Sequence, residues 1–141
     1  MKKFLTLIAF LVSVPVHAEV TITVDIDRQQ MTVTDGNSVK LQTRVSTGRE
    51  GFETPDGNFR ILGKEEKHTS NIYDASMPYM QRLTYSGIAI HAGNVSKGYA
   101  SHGCIRVPLE VAKKLFTMTD IGTRVRIIKQ TSSFEQAFAN M

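Results

Sequence analysis

The chain has 141 residues, 41% of them hydrophobic, with 17 Lys and Arg against 13 Asp and Glu for a formal net charge of +4. That length suits one domain with its own core, and with no run of Lys and Arg longer than the pairs Lys2-Lys3 and Lys113-Lys114 to neutralise phosphates, nucleic acid is excluded as the main partner. A single cysteine, Cys104, excludes an intramolecular disulfide framework.

Residues 1–18 read as a removable signal peptide. Lys2 and Lys3 precede the apolar run Phe4 to Val12, and Pro15-Val16-His17-Ala18 follows, a charged, apolar, small-residue order. The run is short for a bilayer span, and Val16 and Ala18 suit cleavage before Glu19. An uncleaved anchor is the competing reading, while a lipoprotein anchor is excluded because no cysteine follows the run. Cleavage would leave residues 19–141 as one domain with a net charge of about +2, located in the periplasm or cell envelope and touching the membrane only during export.

The segment Val20 to Ile26 alternates apolar and polar residues, as a half-buried strand requires. Met31 to Thr34 and Val39 to Val45 keep the same period and are joined through Asp35-Gly36, so the first third reads as an antiparallel meander. Thr54-Pro55-Asp56-Gly57 is a turn leading into a fourth strand over Phe59 to Leu62. From Lys64 to Tyr79 the pattern dissolves into charges, Ser, Asn and Pro, the mark of a functional loop or lid. Met80 to Tyr85 and Ile88 to Ile90 form a hairpin through Ser86-Gly87 that delivers His91 to a strand end, at a rim. Pro108 opens a helix over Leu109 to Met118, with Leu109, Ala112, Leu115, Phe116 and Thr119 at helical spacing. After Gly122 a strand returns over Val125 to Ile128, and Phe134, Ala137 and Phe138 indicate a short C-terminal helix. Short strands with one main helix predict a mainly β fold, a sandwich or barrel rather than a βαβ arrangement.

Cys104 lies in Ser101-His102-Gly103-Cys104-Ile105-Arg106-Val107, thirteen residues after His91. A lone thiol among histidines suits a nucleophile that attacks a carbonyl and forms an acyl-enzyme. Such a thiol needs a base, and both His91 and His102 qualify by chemistry. His102 shares the face of Cys104 if the backbone is extended, whereas His91 must reach it through the fold. Gly103 allows a tight turn that presents the N–H groups of Gly103 and Cys104 to a developing oxyanion.

These segments, His91-Ala92-Gly93 followed by Ser101 to Val107, resemble the signature of the L,D-transpeptidases, the YkuD-domain family. Ser46-Thr47-Gly48, Thr54 to Phe59, Met77-Pro78-Tyr79, the Pro108 helix and Gly122-Thr123 extend the similarity along the chain. The resemblance implies a β-rich catalytic domain that works on peptidoglycan stem peptides without metal or organic cofactor. It implies that Cys104 attacks the diaminopimelate carbonyl of a donor tetrapeptide, expels D-alanine and transfers the acyl group to an amine in a 3→3 cross-link. It also implies that His91 is the base, oriented by the Ala92 carbonyl, that Gly103 and Cys104 are oxyanion donors, and that His102 lines the pocket. Ser101 and Arg106 belong to the same motif, Arg106 meeting a substrate carboxylate or bracing the loop, and Tyr79 belongs to the lid over the donor site.

Other readings use the same residues. An L,D-carboxypeptidase, or a hydrolase or transferase acting on a wall-linked protein, shares the acyl-enzyme. A non-enzymatic envelope-binding module shares export and a β fold. A zinc site could draw on His91, His102, Cys104 and His68, although paired short ligand spacings are missing.

Overall fold

The computed structural model describes residues 2–4, 8–13, 19–130 and 137–140. Among these the elements run β1 (Val20–Asp25), β2 (Gln30–Asp35), β3 (Ser38–Arg44), β4 (Gly57–Arg60), β5 (Gly63–Glu65), β6 (Met80–Arg82), β7 (Ala89–Ala92), β8 (Ile105–Val107), α1 (Leu109–Met118) and β9 (Arg124–Ile128). The alternation in the N-terminal strands becomes one buried face: Ile22, Val24, Met31 and Val33 are fully buried, while their threonine neighbours point away. Gly36, at φ 58°, supplies the left-handed residue that the turn from β2 to β3 needs.

The strands form two sheets, one of five in the order β3-β2-β1-β9-β4 and one of four in the order β5-β6-β7-β8. The first three strands are the expected antiparallel meander, but β1 also pairs in parallel with β9, from Thr21↔Arg124 to Asp25↔Ile128. A second parallel pair joins β7 to β8. The two sheets and α1 share one core, in which Ile22, Val24, Val125 and Ile127 of the larger sheet meet Ile90, Ile105 and Val107 of the smaller one and Ala112 and Leu115 of the helix. The fold is therefore mainly β, a two-sheet sandwich with one main helix.

Several expectations change. Gly63 to Glu65 forms β5 on the edge of the smaller sheet, so the irregular stretch starts at Glu66 rather than Lys64. Three polar or glycine residues carry no period to read, and only pairing with β6 makes them a strand. Ile105 to Val107 forms β8, a strand hidden inside the cysteine motif. His91 occupies the third position of β7 and is 7% exposed, not at a strand end on a rim. Leu109 starts the helix but stays half exposed, whereas Ala112 and Leu115 are buried. Residues 137–139 are helical with exposed side chains, and Phe134 lies outside the described residues, as do Val16 and Ala18 of the expected cleavage site. Among the described residues no helix is long and apolar enough to cross a membrane.

The helix begins after Pro108, whose φ of −56° is preset by its ring, and carries Glu110 in its first turn. No basic residue lies in its last turn. Lys64 of β5 substitutes for one: its ammonium donates to the Phe116 carbonyl and to the Thr119 carbonyl at 2.6 Å, and lies 4.2 Å from the Phe116 ring centroid. Lys64→Met is expected to lower stability by about 1.5–3 kcal/mol, the range for hydrogen bonds to a charged group. Urea unfolding with an unchanged m-value checks this, and a loss under roughly 0.5 kcal/mol, typical of a surface change, would show that the helix end does not need Lys64.

Candidate active site

The site follows from the register of the smaller sheet. Parallel pairing of Ile90↔Ile105, His91↔Arg106 and Ala92↔Val107 places alternate residues of both strands on opposite faces. Ile90, Ala92, Ile105 and Val107 enter the core, so Ala89, His91, Cys104 and Arg106 share the other face. Strand β6 extends the pattern: Gln81, paired with Ile90, is buried on the core side, while Met80 and Arg82 face the site.

Cys104 sits immediately before β8 at the end of a tight turn. Gly103 has φ 116°, a conformation costly for residues with a Cβ, and a Cβ there would lie 2.7 Å from the Ile88 side chain. The Ser101 hydroxyl fastens this turn, donating to the Cys104 carbonyl at 2.6 Å and accepting the Gly103 N–H at 3.1 Å. The Gly103 N–H is therefore already engaged by Ser101, and the 1%-exposed Ser101, one of the residues lining the cavity described below, uses its hydroxyl to brace the turn. The Cys104 N–H has no acceptor among the described residues.

A second brace was not singled out from the sequence as part of the site. Thr54 Oγ1 donates to the Gly103 carbonyl at 2.7 Å while accepting the Gly48 N–H at 2.9 Å. A Cβ on Gly48 would fall 1.9 Å from the Phe52 carbonyl oxygen, so only glycine lets the chain pass here. Backbone bonds of Ser46 with Arg106, of Thr47 with Ser101 and of Arg49 with Ser101 lay this segment along the cysteine turn. Its only sequence signals were the Ser46-Thr47-Gly48 and Thr54-Pro55-Asp56-Gly57 runs.

The two histidines differ sharply. Nδ1 of His91 donates to the Ala92 carbonyl at 2.8 Å, which fixes the tautomer and leaves Nε2 with a free lone pair. His102 is tied elsewhere: Arg49 Nη2 donates to its Nε2 at 3.2 Å, Tyr73 stacks on its ring at 4.0 Å between centroids, and Phe52 meets it edge-on at 5.0 Å. That packing sets His102 in the cavity wall with its Nε2 already accepting a hydrogen bond. Burial pushes the His91 pKa down, opposed by the bond to Ala92 and reinforced by the charges of Arg106 and His68. Burial also pushes the Cys104 thiol up, against smaller opposing effects of the Ala89 backbone and Arg106. Both shifts favour the uncharged forms, and the thiol donates weakly to the Gly87 carbonyl at 3.5 Å.

Both groups line a cavity of about 570 Å³. One wall is the 66–79 excursion, held by the Thr69↔Ser76 bridge and folded over so that Tyr73 reaches His102. His68 stands at this wall with Nδ1 2.5 Å from Glu65. Tyr79 does not line the cavity; its ring packs edge-on against Phe116, 5.6 Å away, and joins the core. Arg106 does line it, its stem lying over Gly93. Among the described residues no group of three or more His, Cys, Asp or Glu side chains converges to hold a metal ion.

The chain has counterparts among known proteins. The model of the YkuD family, described as the L,D-transpeptidase catalytic domain, matches residues 19–127. No curated protein gives a significant match. Among solved structures, the chain is similar to an L,D-transpeptidase from Stackebrandtia nassauensis at 28% identity and TM-score 0.74, covering 84% of this chain and 61% of that one. It is similar to one from Mycobacterium smegmatis at 26% identity and TM-score 0.74, covering 79% and 59%. An Enterococcus faecium L,D-transpeptidase matches at 30% identity and TM-score 0.71, covering 78% and 50%. The chain spans between half and about three-fifths of the length of these structures. Because the family match covers most of the chain, including both sheets and the cysteine turn, the chain belongs to the YkuD family of L,D-transpeptidase catalytic domains.

Proposed function

We propose that the protein is an exported L,D-transpeptidase that cross-links peptidoglycan stem peptides in the cell envelope, residues 1–18 serving as its signal peptide. The observation that carries this reading is the shared face of Cys104, His91 and Arg106, with His91 held in one tautomer by Ala92. In this mechanism the free Nε2 of His91 takes the thiol proton as Cys104 Sγ bonds to the diaminopimelate carbonyl carbon of the donor. The Cys104 N–H donates to the developing oxyanion. Collapse breaks the C–N bond, and His91 returns the proton to the departing D-alanine amine. An acceptor amine then attacks the thioester, losing its proton to His91 as the thiol is regenerated. Arg106, level with His91, meets the carboxylate of the departing D-alanine, whose amine must lie beside that histidine.

The deciding experiment is mass spectrometry of muropeptides after incubation with a diaminopimelate-type disaccharide tetrapeptide. Cysteine-dependent dimers lacking one D-alanine are expected; shortened monomers alone would make the enzyme a carboxypeptidase, and no product would point to a wall-linked protein or to binding without catalysis. Cys104→Ala should abolish product while leaving the melting temperature unchanged. His91→Ala should lower kcat/KM by roughly 10²- to 10⁴-fold, the usual worth of a positioned base. His102→Ala should lose clearly less, and equal losses at the two histidines would remove His91 as the assigned base.

The pH dependence follows from the two shifts. A lowered His91 pKa keeps the base deprotonated down to below about pH 6.5, the ordinary histidine value, so the acid limb of kcat/KM should lie under that pH. A raised thiol pKa means that alkylation of Cys104 by iodoacetamide should keep accelerating through the ordinary thiol range, about 8.5, without a plateau. A pH-independent alkylation rate between pH 6 and 8 would instead reveal a preformed thiolate–imidazolium pair.

A further inference from the structure

Among the described residues the cavity is lined by two guanidiniums, Arg82 and Arg106, and by no Asp or Glu. Neither guanidinium makes a hydrogen bond or ion pair among the described residues, whereas nearby His68 has Glu65. Arg106 lies on the nucleophile's own strand, and its charge acts on both Cys104 and His91. Arg82 approaches from the other side. It pairs with Ala89 across the sheet, and Ala89 in turn lies beside Cys104, one step before the Ile90↔Ile105 pair. Arg82 is thus two strands, roughly 10 Å of backbone, from the thiol. The row between them holds only the methyl of Ala89, which leaves a low floor over which a substrate arm can lie.

We propose that Arg82 is a specificity-determining residue that binds a carboxylate on the acyl side of the scissile bond, the free carboxylate on the side arm of the donor's diamino acid. This rests on the stem-peptide reading above. With Arg106 assigned to the departing residue's carboxylate, the second guanidinium falls where the retained diamino acid extends, across the sheet from the leaving group. Guanidinium and carboxylate match as planar two-point partners, and an amide in place of the carboxylate loses both the charge and one acceptor. The enzyme therefore selects stems whose side-arm carboxylate is free over stems in which it is amidated.

Binding of two synthetic tetrapeptides to the Cys104→Ala protein, measured by calorimetry, tests this: one has the free side-arm carboxylate and the other its primary amide. The free acid is expected to bind roughly 10- to 100-fold more tightly, the range for a charged hydrogen-bonded contact. Arg82→Gln should erase that preference, chiefly by weakening binding of the free acid, and Arg82→Lys should restore part of it. Turnover of both peptides by the wild-type protein is followed in parallel. Selective binding without turnover supports the Arg82 assignment and overturns the transpeptidase reading. Turnover with equal binding of acid and amide overturns the Arg82 assignment alone, as does a preference that survives Arg82→Gln. Absence of both binding and turnover overturns the two together.

Discussion

The site depends on a parallel ladder of three residue pairs between β7 and β8. Because side chains alternate along a strand, this register sends Ile90, Ala92, Ile105 and Val107 into the core and leaves His91, Cys104 and Arg106 on the opposite face. A slip by one residue would bury the thiol and expose the isoleucines, so the same hydrophobic burial that stabilises the sandwich fixes the catalytic geometry. Fold stability and site geometry are one constraint here, not two.

Around that ladder the protein uses local hydrogen bonds to hold what the sheet cannot. The cysteine turn lies outside β8, and the hydroxyls of Ser101 and Thr54 lock it from two directions, using Gly103's own N–H and C=O as handles. His91 needs just one partner, because a carbonyl can only accept and so determines which ring nitrogen bears the proton. His102 shows the converse: a histidine two residues from Cys104 in sequence, it is enclosed by Arg49, Phe52 and Tyr73.

Much of this was legible from residue order. The N-terminal meander, the helix from Leu109 to Met118 and the last strand carried clear periods or end signals, and the structure reproduces them with small boundary shifts. The pairing of a lone cysteine with two histidines marked the site, and the fold brings Cys104 and His91 to one cavity. What stayed hidden depended on distant partners. β5 has no pattern of its own, β8 was masked by the motif that contains it, and no sequence spacing shows that Gly103's N–H is taken by Ser101 two residues before. Tyr79 stands next to Met80 of the cavity wall, yet a positive φ of 55° turns it toward Phe116 and the core. Arg82 gave no signal, since its place in the cavity lining comes from its pairing with Ala89 across the sheet.

The parallel pairing of β1 with β9 has a consequence for how the protein comes into being. The first strand of the domain finds its inner neighbour only in the last, about a hundred residues later, and β4 joins the larger sheet solely through β9. A chain emerging from its N-terminus can form the meander early, but one side of β1 stays open until residue 128 is free. Contacts this distant in sequence slow folding, because loop closure must precede any gain from burial. The core that Ile105 and Val107 of the cysteine strand share with Val125 and Ile127 is therefore complete only once β9 has docked beside β1.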